Sequence, residues 1–76
     1  MMNPKDRAFL RALDMVREDL TNYRIEITKK QVESIEQGNT ALFTELQCKL
    51  YAALEISFIL VGRKSQYLDE IIKDQN

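Results

Sequence analysis

The sequence predicts an all-α protein: an antiparallel helical hairpin of two long helices, with a short third helix in one reading. Three observations carry this. Only 2 glycines and 1 proline interrupt 76 residues. Apolar residues recur at alternating spacings of three and four, the period of a coiled-coil seam. One clear turn signal, Gln37-Gly38-Asn39-Thr40, divides the chain into two such stretches. Length allows one domain at most, residues 1–76. A chain this short is marginal alone. Self-association or a protein partner is therefore expected to complete it.

The first helix announces its start. Asn3 can cap, Pro4 suits the first helical position, and Asp6 places a carboxylate near the positive end of the helix dipole. Phe9, Leu13, Val16, Leu20, Tyr23 and Ile27 then form an unbroken apolar seam. Beyond Ile27 the seam shifts phase. Lys30 and Ser34 fall where it should continue, and Ile25, Val32 and Ile35 carry a displaced stripe. Thr21-Asn22 is a candidate break, because both side chains compete for backbone bonds. A Glu26–Lys30 pair at i,i+4 argues instead for helix through this region.

Gly38 suits the left-handed position that ends a helix, and Asn39 or Thr40 can cap the next. A connection this short makes the two helices antiparallel neighbours. The second helix is expected from about Ala41. Phe43, Leu46, Leu50, Leu54, Phe58, Val61, Leu68 and Ile72 form its expected core face, with Glu45 and Lys49 paired on the solvent side. At Gly62-Arg63-Lys64-Ser65 two readings stand. The helix stops and Ser65 caps a third over Gln66 to Lys73, or it runs through, with Gly62 costing about 1 kcal/mol relative to Ala.

Composition excludes several classes. Eleven basic and 12 acidic residues leave a net charge of -1, which gives no electrostatic case for nucleic acid or an anionic membrane. The apolar run from Tyr51 to Val61 is too short to cross a bilayer, which needs about 20 residues, and Glu55 sits inside it. The N-terminus is charged where a signal peptide would carry its apolar core. One cysteine permits no internal disulfide and fits a reducing compartment, so the expected location is cytoplasmic. With no histidine and one cysteine, no catalytic site, metal or cofactor is expected. Cys48 is expected to be buried or half-buried, Lys29-Lys30 to be solvated charge, and Tyr23, Tyr51 and Tyr67 to mark core or interface edges.

The segment YAALEISFILVG, Tyr51 to Gly62, is apolar almost all the way round. At about 100° per residue, Leu50, Tyr51, Leu54, Phe58 and Val61 fill one face, while Ala52, Ala53, Ile56, Ile59 and Leu60 extend round the other side. One neighbouring helix covers roughly a third of the circumference. Each large side chain left wet would forgo about 1.5–3 kcal/mol. A folded-back segment of the same chain, a second copy in a four-helix bundle, or a different protein could cover the remainder. The expected partner contacts are Ala52, Ile56, Ile59 and Leu60, with Arg63 and Glu55 at the rim.

The stretch GNTALFTELQ, Gly38 to Gln47, followed by Ala53-Leu54-Glu55 and an apolar run, resembles the small YscE-like proteins of bacterial type III secretion systems. The likeness spans roughly Val32 to Leu60. It implies a helical hairpin that acts as a co-chaperone. Such a protein binds a larger tetratricopeptide-like helical chaperone, and the pair keeps the needle subunit unpolymerised before export, a step in virulence. The segment from Ala53 through Leu60 would then be the docking helix. The rival expectation is a homodimeric regulatory or adaptor protein that binds another protein.

Overall fold

The computed structural model describes residues 2–75 and shows two long helices joined by a three-residue turn. Helix α1 spans Pro4–Glu36 and α2 spans Thr40–Gln75. They lie side by side as an antiparallel hairpin with extents of 58 × 16 × 11 Å. Its radius of gyration is 17.4 Å, against about 11 Å for a compact chain of this length. The molecule is a narrow ribbon rather than a ball.

The helix ends are built by local chemistry. The Asn3 side chain accepts the Asp6 backbone N–H at 2.8 Å, and Pro4 opens the helix. At the turn, Gly38 sits at φ 68°, the left-handed region. Its N–H donates to the Ile35 carbonyl at 3.0 Å, and the Asn39 N–H donates to the Ser34 carbonyl at 2.8 Å. This pair of bonds is a Schellman closure of α1. Asn39 then caps α2, its side chain accepting the Leu42 N–H at 3.0 Å. One residue thus helps to close the first helix and opens the second.

Neither helix breaks: α1 is continuous through Thr21-Asn22 and α2 through Gly62. The Thr21 hydroxyl donates to the Arg17 carbonyl at 3.0 Å, so it is satisfied without leaving the helix. Gly62 lies within α2, and no third helix forms over Gln66 to Lys73. Gly62 stands on the ridge of α2 farthest from α1, where a missing side chain removes no packing.

The seam between the helices differs from the expected one. On α1 the inward positions are Asp6, Leu10, Leu13, Arg17, Leu20, Arg24, Ile27, Gln31 and Ser34. On α2 they are Phe43, Leu46, Leu50, Ala53, Ser57, Leu60, Lys64, Tyr67 and Ile71. Both series alternate threes and fours throughout, as a two-helix coiled coil requires. Of the expected α1 stripe, Leu13, Leu20 and Ile27 enter this seam, while Phe9, Val16 and Tyr23 remain on its flank. Ser34 is buried in the seam, and Ile25, Val32 and Ile35 are exposed. On α2 the expected face diverges after Leu50. Two successive four-residue steps, to Leu54 and then Phe58, advance about 80° around the helix and leave the seam. Leu54 and Leu68 line the edge, but Phe58, Val61 and Ile72 are exposed. Phe58 is 74% exposed.

Size explains the choice. Gln31 lies level with Gln47 and Asp14 with Lys64, so Ala53 and Ser57 stand opposite the stretch from Leu20 to Arg24. Small side chains there leave room for the arginine stems. The Ser57 hydroxyl donates to the Ala53 carbonyl at 2.9 Å and needs no partner on α1.

Other local expectations shift too. Glu45 and Lys49 pair at 3.5 Å. Glu26 pairs with Lys29 at 3.6 Å rather than with Lys30. Cys48 is exposed, because it stands on the outer ridge with Glu55 and Gly62 instead of near the seam.

Gly38→Ala should destabilise the hairpin by about 1–2 kcal/mol, because a Cβ is disfavoured at positive φ although nothing lies within 4 Å of it. Gly38→Asn should cost less. Urea midpoints measured at constant slope check both, and equal midpoints for all three proteins would contradict the assignment.

Candidate interaction surface

The hairpin spends much of its seam on polar side chains. Asp6, Arg17, Arg24, Gln31, Ser34, Ser57 and Lys64 all occupy inward positions. Among the described residues the buried apolar side chains are Leu10, Ile27, Leu46 and Ala53. Cross-helix polar contacts tie the two rods at three levels. Near the turn, the Gln31 amide donates to the Gln47 side-chain oxygen. At mid-length, Lys64 Nζ meets Asp14 Oδ1 at 2.7 Å, with Arg17 at 3.9 Å from the same oxygen. At the open end, the Tyr67 hydroxyl donates to Asp6. Such contacts fix register more than they add stability, since half-exposed ion pairs contribute roughly 0–1 kcal/mol.

Phe9 packs on the Tyr67 ring with centroids 4.5 Å apart. Hydrogen bonding to the Asp6 carboxylate raises the Tyr67 pKa above its ordinary 10.0, and burial and the Asp6 and Glu70 charges act in the same direction. Among the described residues, Arg24 Nε is the buried side-chain nitrogen that lacks a partner.

Because polar groups occupy the seam, apolar groups lie on the two broad faces of the ribbon. The first face joins Phe9, Val16 and Tyr23 of α1 to Ile56 and Ile59 of α2. All five are exposed, Ile56 at 47% and Ile59 at 57%. The Phe9–Tyr67 contact and a hollow lined by Phe9, Arg63, Gln66 and Glu70 place the α1 and α2 members on one side. The second face carries Tyr51, Leu54, Phe58 and Val61 beside Ile25. Two shallow hollows run along it, walled by Thr21, Arg24, Ile25 and Leu54, and by Arg17, Ser57, Phe58 and Val61.

The expected contact residues fall on or beside the first face. Ala52, Ile56, Ile59 and Arg63 are exposed there, while Leu60 is half-buried in the seam. Glu55 points outward from the ridge between the two faces rather than rimming either of them closely. No segment of the described chain folds back over Ile56 and Ile59, so the reading in which a third helix covers them fails. Phe9 and Val16, expected in the inward stripe, belong to this face, and Tyr23, expected at a core or interface edge, lies on it as well. Sequence reasoning missed Phe58 as the most exposed large apolar side chain.

The exposed area measures the surplus. The chain exposes 6028 Å². A compact monomer of its mass would expose about 4,800 Å². No helix among the described residues is long and apolar enough to cross a membrane. No protein-family model, curated protein or solved structure matches the chain.

The Asp6–Tyr67 bond carries a pH signature. Tyr67 holds its proton more tightly folded than unfolded, so its contribution is complete below pH 10.0 and is lost as pH rises through the raised folded value. The stability difference between wild type and Tyr67→Phe, from thermal unfolding at several alkaline pH values, should shrink above pH 10.0. A difference that stays constant through that range would contradict the bond.

Proposed function

We propose that this chain is a non-catalytic interaction protein of the co-chaperone kind. It docks the apolar face around Ile56 and Ile59 on a larger helical-repeat chaperone. In the type III secretion setting suggested by the YscE-like motifs, the pair would hold a needle subunit unpolymerised in the cytoplasm. One observation carries the reading: an apolar band from both helices lies open to water while the seam beneath it holds charged and amide side chains. That distribution suits a hairpin whose stability is completed by another protein. Helical repeats offer grooves that take an apolar helix face, with anchors at three- and four-residue spacings. Ala52, Ile56 and Ile59 have that spacing, Leu60 supports them from the seam, and Arg63 adds a charge at the edge.

A second reading, a homodimeric four-helix-bundle regulatory or adaptor protein, draws on the same surplus of exposed area. A second copy could cover apolar surface as well as a foreign chain could.

The double variant Ile56→Asp, Ile59→Asp separates face from fold. Tagged wild-type chain should co-purify with a helical-repeat protein and the needle subunit. The variant should lose both by at least tenfold and keep its helical circular dichroism, because both side chains already face water. Undiminished co-purification by the variant would refute the docking face. Wild-type chain that recovers no helical-repeat protein would refute the chaperone reading.

A further inference from the structure

We infer that the second broad face, centred on Phe58, is the interface for a second copy of this chain, which pairs α2 with α2 across a two-fold axis. The inference does not rest on the chaperone reading, because it concerns the opposite side of the ribbon.

Charge is the first ground. Near a two-fold axis every side chain meets its own copy, so a charge there opposes a like charge. The α2 rows on this face, through Gln47, Tyr51, Leu54, Phe58, Val61 and Leu68, contain no Asp, Glu, Lys or Arg from Thr44 to Ile72. The rows on the first face contain Glu45, Lys49, Arg63, Glu70 and Lys73. The Phe58 side therefore offers α2 rows that bring no charge to the axis, whereas the first face does not.

Symmetry of the pattern is the second. Leu54 and Val61 stand one turn before and after Phe58. An axis through Phe58 that sets the two α2 helices antiparallel brings Leu54 within one residue of level with the copy's Val61, and Phe58 against its own counterpart. The side chain at the centre of this arrangement is the most exposed large apolar group of the described chain, at 74%.

Area is the third. A compact particle of twice the mass exposes about 8,000 Å², or about 4,000 Å² per copy. Each hairpin exposes 6028 Å². The difference, about 4,000 Å² over two copies, is an upper bound that lies within the roughly 2,000–5,000 Å² typical of obligate homodimers. The dimer leaves Ile56 and Ile59 open, so a different protein can occupy the first face at the same time.

Sedimentation equilibrium of the full chain should give twice its 8.9 kDa mass at tens of micromolar. Phe58→Asp should halve that mass, and Ile59→Asp should leave it unchanged. Cross-linking gives an independent readout in case a charged variant unfolds. In a Cys48→Ser background with copper phenanthroline as oxidant, Phe58→Cys should form a disulfide-linked dimer at least tenfold faster than Ile59→Cys, since a disulfide needs Cβ atoms about 4 Å apart. A monomeric wild type, a mass halved by Ile59→Asp and not by Phe58→Asp, or equal cross-linking at both positions would each overturn the proposal.

Discussion

Two helices in a hairpin can share only one stripe each, and here seven of the eighteen positions on those stripes hold polar side chains. This constraint governs the rest of the molecule. The seam keeps strict three-four spacing from end to end, so whatever the sequence places at those positions must go inside. Asp6, Arg17, Arg24, Gln31, Ser57 and Lys64 are inward for that reason. Most have a partner: a hydroxyl returned to its own helix, an amide pair, a lysine on an aspartate; Arg24 Nε is left without one. The apolar side chains displaced from the seam have nowhere to go but the two faces.

The consequence is a hairpin with a well-specified register and a thin core. Polar ties at three levels oppose sliding of one rod along the other, because a one-residue slip would separate Lys64 from Asp14 and Tyr67 from Asp6. Among the described residues Leu10, Ile27, Leu46 and Ala53 are the buried apolar side chains, and at about 1.5–3 kcal/mol for each of the three large ones their hydrophobic stabilisation is modest. Specificity of pairing and strength of pairing are thus divided. The hairpin defines its own shape, and the exposed faces hold the hydrophobic energy that association can release.

Several features were legible in the residues themselves. The caps at Asn3 and Asn39, the proline opening, the left-handed glycine and the Glu45–Lys49 pair depend on neighbours within one helical turn. The surplus of apolar surface between Tyr51 and Gly62 was legible as well, because a wheel counts circumference without needing to know the partner. The seam was not. In α1 the row through Phe9, Val16 and Tyr23 reads as well as the row actually buried, because both share Leu13, Leu20 and Ile27. Hydrophobicity favours the wrong row, since the true one includes two arginines, an aspartate and a glutamine.

The sequence alone therefore determined two helices, their ends, the turn between them and the excess of apolar side chains, all consequences of local backbone chemistry and of composition. Only the tertiary structure decided which stripe faces inward and how the excess divides between two opposite faces. That choice belongs to the pair of helices. The small side chains Ala53 and Ser57 make room for Leu20 and Arg24, which stand more than twenty residues away along the chain, and no periodicity within either helix records that fit.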